Sequence, residues 1–245
     1  MNTLHWEKEI NRAVRPYRAP VLFFYDVGVY RVWNPFIWKC PSFSIEENYK
    51  RYVGSTHLEA GCGTGYLPYR CNPVENQSGD RSMKQWELTL LDFSPGSLAW
   101  AARRLKRFKP HLIRHNLFLP LPAVSHPFES ICLNYVLHCL PGSFTEKEKV
   151  IAHLKEALAP EGVLFGSTIL GRGIPLSYAA RVVLTRYNAM GSFHNNHDTE
   201  EGLKRALSKN FRSVTCRVIG AVALFAASDK DLKHRGDERS TLPLA

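Results

Sequence analysis

The stretch His57-Leu58-Glu59-Ala60-Gly61-Cys62-Gly63-Thr64-Gly65-Tyr66 decides how the rest of this 245-residue chain is read. It opens as a short apolar strand, places an acid at the strand's end, and then turns on glycines at alternate positions. Glycine permits a tight turn and a close approach of backbone to ligand where any Cβ would collide. The segment that follows can open a helix, whose first N–H groups have no partner within the helix. A second apolar strand ending in an acid, Glu87-Leu88-Thr89-Leu90-Leu91-Asp92, separates this arrangement from an ordinary strand-to-helix turn.

Working outward, Ser55 to Ala60 reads as the first strand. A short helix after the turn carries Pro68 near its start and ends near Cys71-Asn72-Pro73. The polar run from Asn72 to Lys84 reads as a surface loop. Ser94 caps a helix with Pro95 at its first position, running toward Lys106. Leu112 to Asn116 is a third strand, and Pro120, Pro122 and Pro127 lead to a fourth, Ser130 to Asn134. The apolar spacing of Val150, Ile151, Leu154, Ala157 and Leu158 predicts a helix over Glu146 to Leu158, ended by Pro160-Glu161-Gly162. Val163 to Leu170 is a fifth strand, and Pro175 to Met190 is helical. Gly191 to Asp198 is a polar loop rich in His and Asn. Thr199 caps a helix through Leu207, and a hairpin about Gly220 joins Phe211–Val218 to Ala221–Ala227. Alternating strands and helices imply an α/β fold: a doubly wound, mostly parallel seven-stranded sheet of Rossmann-like type. Residues 1–54 are expected to form an aromatic-rich cap of helical pieces broken by Pro35 and Pro41. Residues 55–228 form the ligand-binding domain, and 229–245 a loose charged tail.

Thirty-two Lys and Arg against 22 Asp and Glu leave a formal charge of +10, which invites a nucleic-acid reading. Much of that charge sits in Arg12 to Arg18 and in Arg103 to Lys109. The second run reads as the solvated face and C-terminal end of an amphipathic helix, where cations complement the helix dipole. Nucleic acid is therefore a disfavoured partner that the charge alone leaves open, and an anionic small substrate is served equally well. At 44% hydrophobic and 22% charged residues, the chain can bury a core. It has no apolar run of membrane-spanning length, because Asp26, Arg31, Asn34 and Pro35 interrupt Pro20 to Trp38. It also lacks the layout of a secretory signal, so a cytoplasmic protein without membrane partners is expected. Six cysteines without a C-x-x-C pair predict neither a metal site nor a disulfide framework.

In such a sheet, ligands bind outside the carboxyl ends of the strands. The groups standing there are Glu59 with the glycine turn, Asp92, Asn116, and Asn134 followed by Tyr135 to His138. A dinucleotide fingerprint would place its third glycine three residues after the second. Here Gly65 follows Gly63 by two, Tyr66 is bulky, and Glu59 would repel a pyrophosphate. A ligand with a cationic or zwitterionic group suits the turn better.

Leu58 to Gly65 resembles motif I of the class I S-adenosylmethionine-dependent methyltransferases, h-[D/E]-x-G-x-G-x-G. Leu90-Leu91-Asp92-Phe93-Ser94-Pro95 fits the strand after it. Leu158 to Leu164 resembles the family's L-x-P-G-G-x-L approach to strand five, with Glu161 in place of a glycine. Tyr25-Asp26, Trp38 to Pro41, Leu137 to Gly142 and Tyr187-Asn188 look like small stand-alone methyltransferases of bacterial and fungal metabolite pathways. The resemblance implies S-adenosyl-L-methionine as cofactor, a small-molecule acceptor, and a cofactor site drawn from Tyr25, Glu59, Ala60, Gly61, Cys62, Gly63, Gly65, Asp92, Phe93, Asn116, Leu117, Asn134 and Tyr135. Within it, Asp92 would accept both ribose hydroxyls, Phe93 would pack on the adenine, and Asn116 would meet the adenine amine. Glu59 would reach the amino-acid end, with Asn134 and Tyr135 on the methionine side. Tyr30, Trp38, Tyr187 and Asn195 are the expected substrate contacts. If the acceptor must lose a proton, His138 is the candidate base, since histidine titrates near neutrality. His194, like His197, is an alternative on a loop that could close as a lid. Methylation of RNA, and a scaffold that binds cofactor without methyl transfer, are the competing readings.

Overall fold

The structure, a computed structural model, describes residues 26–74 and 86–232. Within them a wide helix α1 (Val27–Ile37) and a helix α2 (Ser42–Tyr52) precede the sheet. Then come β1 (Thr56–Ala60), α3 (Tyr66–Arg70), β2 (Glu87–Asp92), α4 (Pro95–Arg104), β3 (His111–Arg114) and β4 (Phe128–Asn134). The chain continues through α5 (Phe144–Glu156), β5 (Leu158–Ile169), α6 (Tyr178–Ala189), α7 (Glu200–Ser208), β6 (Ser213–Ile219) and β7 (Val222–Ser228).

The seven strands lie in the order β3-β2-β1-β4-β5-β7-β6. Neighbours from β3 to β5 are parallel, and β7 runs antiparallel to both β5 and β6. Strand order reverses between β1 and β4, and the crevice of a doubly wound sheet opens there. Helices seal both faces. Val150, Ile151 and Leu154 of α5 and Leu203 and Leu207 of α7 pack with Leu58 and Leu133. Ile45 and Tyr49 of α2 and Leu184 of α6 pack with Phe165 and Leu224. Leu98, Ala101 and Leu105 cover Leu88 and Leu90.

Local chemistry explains most of the boundaries. Ser94 Oγ accepts the Ser97 N–H, and Thr199 Oγ1 accepts that of Gly202. The helix expected from Glu146 begins two residues earlier because Ser143 and Glu146 form a capping box. The third strand stops at Arg114, leaving Asn116 in the turn beyond it. Residues 158–162, expected to end the preceding helix, belong instead to β5. That strand pairs Phe128 with Leu158 and resumes at Ser130–Val163, so Pro160-Glu161-Gly162 forms an irregularity within it. Pro175 to Ser177 lie outside α6, whose N-terminus Ser177 caps. Asn72 is buried rather than on a surface loop. Cys40 and Cys71 are as inaccessible as Cys132, and all six cysteines are reduced.

Pro35 does not break the cap, because α1 runs through it with wide, five-residue hydrogen bonding: Trp38 N–H donates to Trp33 O at 2.9 Å. In that pattern a residue at 35 would donate to Tyr30 O, and proline has no N–H to give. The Ser42 hydroxyl donates to Tyr30 O in its place, while accepting the Asn34 side-chain amide at 3.2 Å. Ser42→Ala therefore withdraws two bonds from the cap. It should cost about 1–3 kcal/mol in thermal or denaturant unfolding, with faster hydrogen exchange across residues 27–38. An unchanged midpoint and unchanged exchange would contradict this account of the wide helix.

Candidate active site

Period-two alternation puts His57 and Glu59 on one face of β1. Both are buried. Glu59 Oε2 accepts the Tyr49 hydroxyl at 2.8 Å and lies 3.2 Å from His57 Nε2. His57 Nδ1 lies 2.7 Å from Ser130 Oγ, which accepts the Gly54 N–H. His57 Nε2 also lies 3.0 Å from the Tyr49 hydroxyl, so Ser130, His57, Tyr49 and Glu59 form one buried polar chain. Burial and the Glu59 charge push the Tyr49 hydroxyl well above its ordinary pKa, so it stays a donor. Glu59 itself reaches the floor of the cleft.

The glycine turn then crosses the ends of β1 and β2. Gly61 and Cys62 both donate to Leu91 O, at 2.7 and 3.0 Å. Gly61 has φ +77°, and a Cβ there would lie 2.4 Å from Val136 Cγ2, so no other residue fits. Gly63, at φ +50°, donates its N–H to Asp92 Oδ2 at 3.0 Å, and a Cβ on it would meet no atom within 4 Å. The opposite oxygen, Oδ1, accepts the Ser94 N–H at 2.8 Å. One carboxylate thus ties the turn to the start of α4, and its Oδ2 also accepts the Cys62 S–H at 3.9 Å. Burial raises the Asp92 carboxyl above its ordinary pKa, against the pull of those two N–H groups.

Around this turn lies a cleft of about 1000 Å³, open to solvent. Phe93, Asn116, Leu117 and His115 line one end, and Glu59, Asn134, Tyr135 and Tyr30 the other. Asn116 Oδ1 already accepts the Phe118 N–H at 3.0 Å and retains its second lone pair. Asn134 is held from both sides, donating to Cys132 Sγ and accepting the Ser167 hydroxyl at 2.8 Å. Tyr135 sits at φ +55°, a conformation costly for a side-chain-bearing residue. Its hydroxyl donates to Asn34 Oδ1 at 2.8 Å and its N–H to Ser167 O.

Several expected residues fall elsewhere. Tyr25 lies outside the described residues. Ala60 is buried in β1, and Gly65 packs toward Ala101 of α4 and Leu105 just beyond it. Neither lines the cleft. Trp38 is a core residue, 3% exposed, whose carbonyl accepts the Ala221 N–H. Asn195 is fully buried and structural: its amide donates to Ile169 O and accepts from Asn188. Tyr187 stands one layer behind the cleft, edge-on to Trp33 and beside Phe193.

The His138 ring is buried against Tyr135 and Phe193, and its Nδ1 accepts the Ile169 N–H at 3.4 Å. Burial, aided by the Lys147 charge, pushes its pKa down to about 3. It is thus a neutral imidazole, and the near-neutral base expected there is not found. His194 is pinned, not poised as a lid. Its N–H donates to His138 O at 2.7 Å, its Nδ1 lies 3.2 Å from Cys139 O, and its carbonyl accepts Lys147 Nζ.

Other site residues escaped the sequence reading. Thr64 and Tyr66 line the cleft. The Thr64 hydroxyl donates to Asp26 Oδ1 at 2.5 Å, and Asp26 also pairs with Arg104 at 2.6 Å, fastening the cap to the turn. Tyr30 stacks on Tyr66 with ring centroids 4.0 Å apart. The His57–Glu59 pairing was available as a two-residue spacing, whereas the Asp26 contact spans 38 positions and left no local signal. No cluster of metal ligands occurs among the described residues.

This donor set fits an adenosyl sulfonium amino acid. The Asp92 carboxylate lines the cleft as a charged acceptor of the kind a ribose diol requires, apolar Phe93 and Leu117 line it too, and buried Glu59 offers negative charge at the opposite end. Residues 58–164 match the family model described as a methyltransferase domain. Methyltransferase verB of Penicillium polonicum is 36% identical over 223 residues, covering 89% of this chain and 98% of that protein. Demethylluteothin O-methyltransferase of Streptomyces thioluteus is 33% identical over 216 residues, covering 88% and 90%. Among solved structures, the N-methyltransferase NodS of Bradyrhizobium japonicum WM9, in complex with S-adenosyl-L-homocysteine, shares the fold. Its TM-score is 0.52 at 17% identity, covering 77% of this chain and 88% of that one. The chain belongs to the S-adenosylmethionine-dependent methyltransferase family.

Asp92→Asn should weaken S-adenosylmethionine binding by about ten- to a hundred-fold in calorimetry, the loss expected of a charge-assisted contact. If Asp92 is the ribose acceptor, its protonation in the wild type removes that acceptor. Because Asp92 titrates above the ordinary aspartate range, affinity should fall as pH is lowered, beginning before an exposed aspartate would respond. That pH dependence should vanish in the variant; its persistence would exclude Asp92 as the ribose acceptor.

Proposed function

We propose that the enzyme transfers the methyl group to a small, largely apolar or aromatic metabolite. The observation that carries this reading is the aromatic wall at the Glu59 end of the cleft. Tyr30, Tyr66 and Tyr135 border the cavity, and Trp33, Tyr187 and Phe193 stand behind them. Flat rings favour stacking with a flat acceptor. The cap helix α1 lies across this end, secured at Asp26 and Asn34. That arrangement suits a ligand that can be enclosed. Demethylluteothin O-methyltransferase, whose name specifies a small acceptor, aligns along most of the chain, which supports the same reading.

S-adenosylmethionine supplies a methyl group on a positive sulfur, open to displacement by a nucleophile opposite the leaving thioether. The chain's contribution is to bind, orient and exclude water. Asp92, Phe93, Asn116 and Leu117 hold the adenosine half. Glu59, set by Tyr49 and His57, complements the cationic half. The Tyr135 backbone strain is offset by its bonds to Asn34 and Ser167, which place its ring at the methionine end. With Nδ1 occupied by a backbone donor, His138 carries its proton on Nε2 and presents a neutral N–H rather than a base. A phenol then enters as its phenolate, or an amine as its free base, the proton having passed to bulk solvent outside the cleft.

Calorimetry with S-adenosylmethionine, followed by mass-spectrometric detection of S-adenosylhomocysteine across a panel of phenols, hydroxylated polycyclic aromatics and amines, tests the proposal. Turnover with a flat aromatic member is expected. Turnover only with transcribed RNA, or cofactor binding with no product from any acceptor, would overturn it. With a responsive phenol, His138→Ala should lower kcat by about ten-fold or less and leave the pH–rate profile unshifted. A drop of the roughly 10²–10⁴-fold that accompanies loss of a general base, with a vanished limb near neutrality, would restore His138 to that role.

A further inference from the structure

Lys147 and Asp198 form an ion pair that takes no part in lining the cleft. Lys147, on α5, has no solvent exposure, and its ammonium donates to Asp198 Oδ2 at 2.6 Å and to the His194 carbonyl at 3.0 Å. The Phe144 ring centroid lies 5.4 Å from it. Asp198 is equally inaccessible, and its Oδ1 has no hydrogen-bond partner. The Asp198 backbone carbonyl accepts the N–H groups of Gly171 and Arg172 just beyond β5. Removing two charges from water commonly costs more than their attraction returns, and well-packed apolar residues of similar size often hold a fold as firmly. Scaffolding alone does not require this pair.

The contacts continue toward the cleft. His194, fixed by Lys147 at its carbonyl, holds His138 O through its N–H at 2.7 Å and approaches Cys139 O through its ring at 3.2 Å. Those two carbonyls belong to the single turn Leu137–Cys139. Cys139 and the next residue, Leu140, line the cleft, and the His138 ring backs Tyr135. We infer that Lys147 is a positioning residue for the acceptor half of the cleft, fixing the His194 carbonyl and through it the Leu137–Leu140 turn that forms the cleft wall. The inference rests on the reading of that half as the acceptor site. The depressed basicity of His138, to which the Lys147 charge adds, agrees with this coupling.

The test uses the full chain as wild type, Lys147→Met, and the double variant Lys147→Met/Asp198→Leu, which replaces the pair by apolar side chains and carries the test if the single variant fails to fold. Three quantities are read: affinity for S-adenosylhomocysteine, the rate of Cys139 alkylation by iodoacetamide resolved by peptide mass spectrometry, and the imidazole nitrogen signals of His138. In both variants affinity should stay within about two-fold, because the adenosine half is remote from the pair. Cys139 should react about ten-fold faster as its turn loosens, and the His138 signals should move. A double variant that keeps the wild-type Cys139 rate and His138 signals would overturn the inference, since the pair would then be simple filler. Affinity lost in proportion to Cys139 protection would also overturn it, by marking the effect as general. Failure of the wild type to bind S-adenosylhomocysteine would instead remove the reading on which the inference stands.

Discussion

The Asp92 carboxylate is the constraint on which the rest of the site depends. It stands at the end of the strand beside β1, where two loops would otherwise diverge, and bonds one N–H from each. The glycine turn can follow its left-handed path only because something receives the Gly63 N–H there. α4 starts where it does partly because Ser94 is held by the same side chain that it follows in sequence. The geometry of both loops therefore rests on one side chain.

A chain with a formal charge of +10 nonetheless buries a carboxylate, Glu59, at the wall of its cleft. Glu59 is kept in the interior by a tyrosine hydroxyl and the His57 ring, with no lysine or arginine at contact distance among the described residues. Its negative charge is thus available to a sulfonium or ammonium instead of being consumed within the protein. The abundant lysines and arginines have other work. Arg104 secures Asp26, Arg107 lies over Phe108 and Tyr69, and Lys209 pairs with Glu148. Overall basicity and local acidity coexist because low-dielectric surroundings and short distances decide what a bound ligand feels.

Features set by neighbours in sequence were readable from it. The glycine spacing, the acid closing β2, the caps at Ser94 and Thr199, and the hairpin at Gly220 all rest on contacts within a few residues. Where tertiary contact outweighs local preference, the reading failed. Pro35 looked like a break, yet Ser42, seven residues on, completes the bond that proline cannot make. Trp38 and Asn195 carry the chemistry of ligand contacts but are claimed by Ala221, Ile169 and Asn188. His138 follows β4 as expected, but its ring is buried behind Tyr135 and does not line the cleft. Its low basicity was not legible, because burial beneath Phe193 and the charge on Lys147 come from elements nine to 55 positions away.

The cysteines bear on how this protein survives its own reagent. A sulfonium methyl donor alkylates thiolates readily, so a binding site lined or floored by thiols courts self-modification. Cys62 lines the cleft and Cys132 lies beneath it, within hydrogen-bond range of the Asn134 amide. Both are buried beside carboxylates, which pushes their pKa values well above that of an ordinary thiol. Held as S–H, they are poor nucleophiles at any physiological pH. The acidic side chains of the cleft thereby also help to disarm the two thiols packed against them.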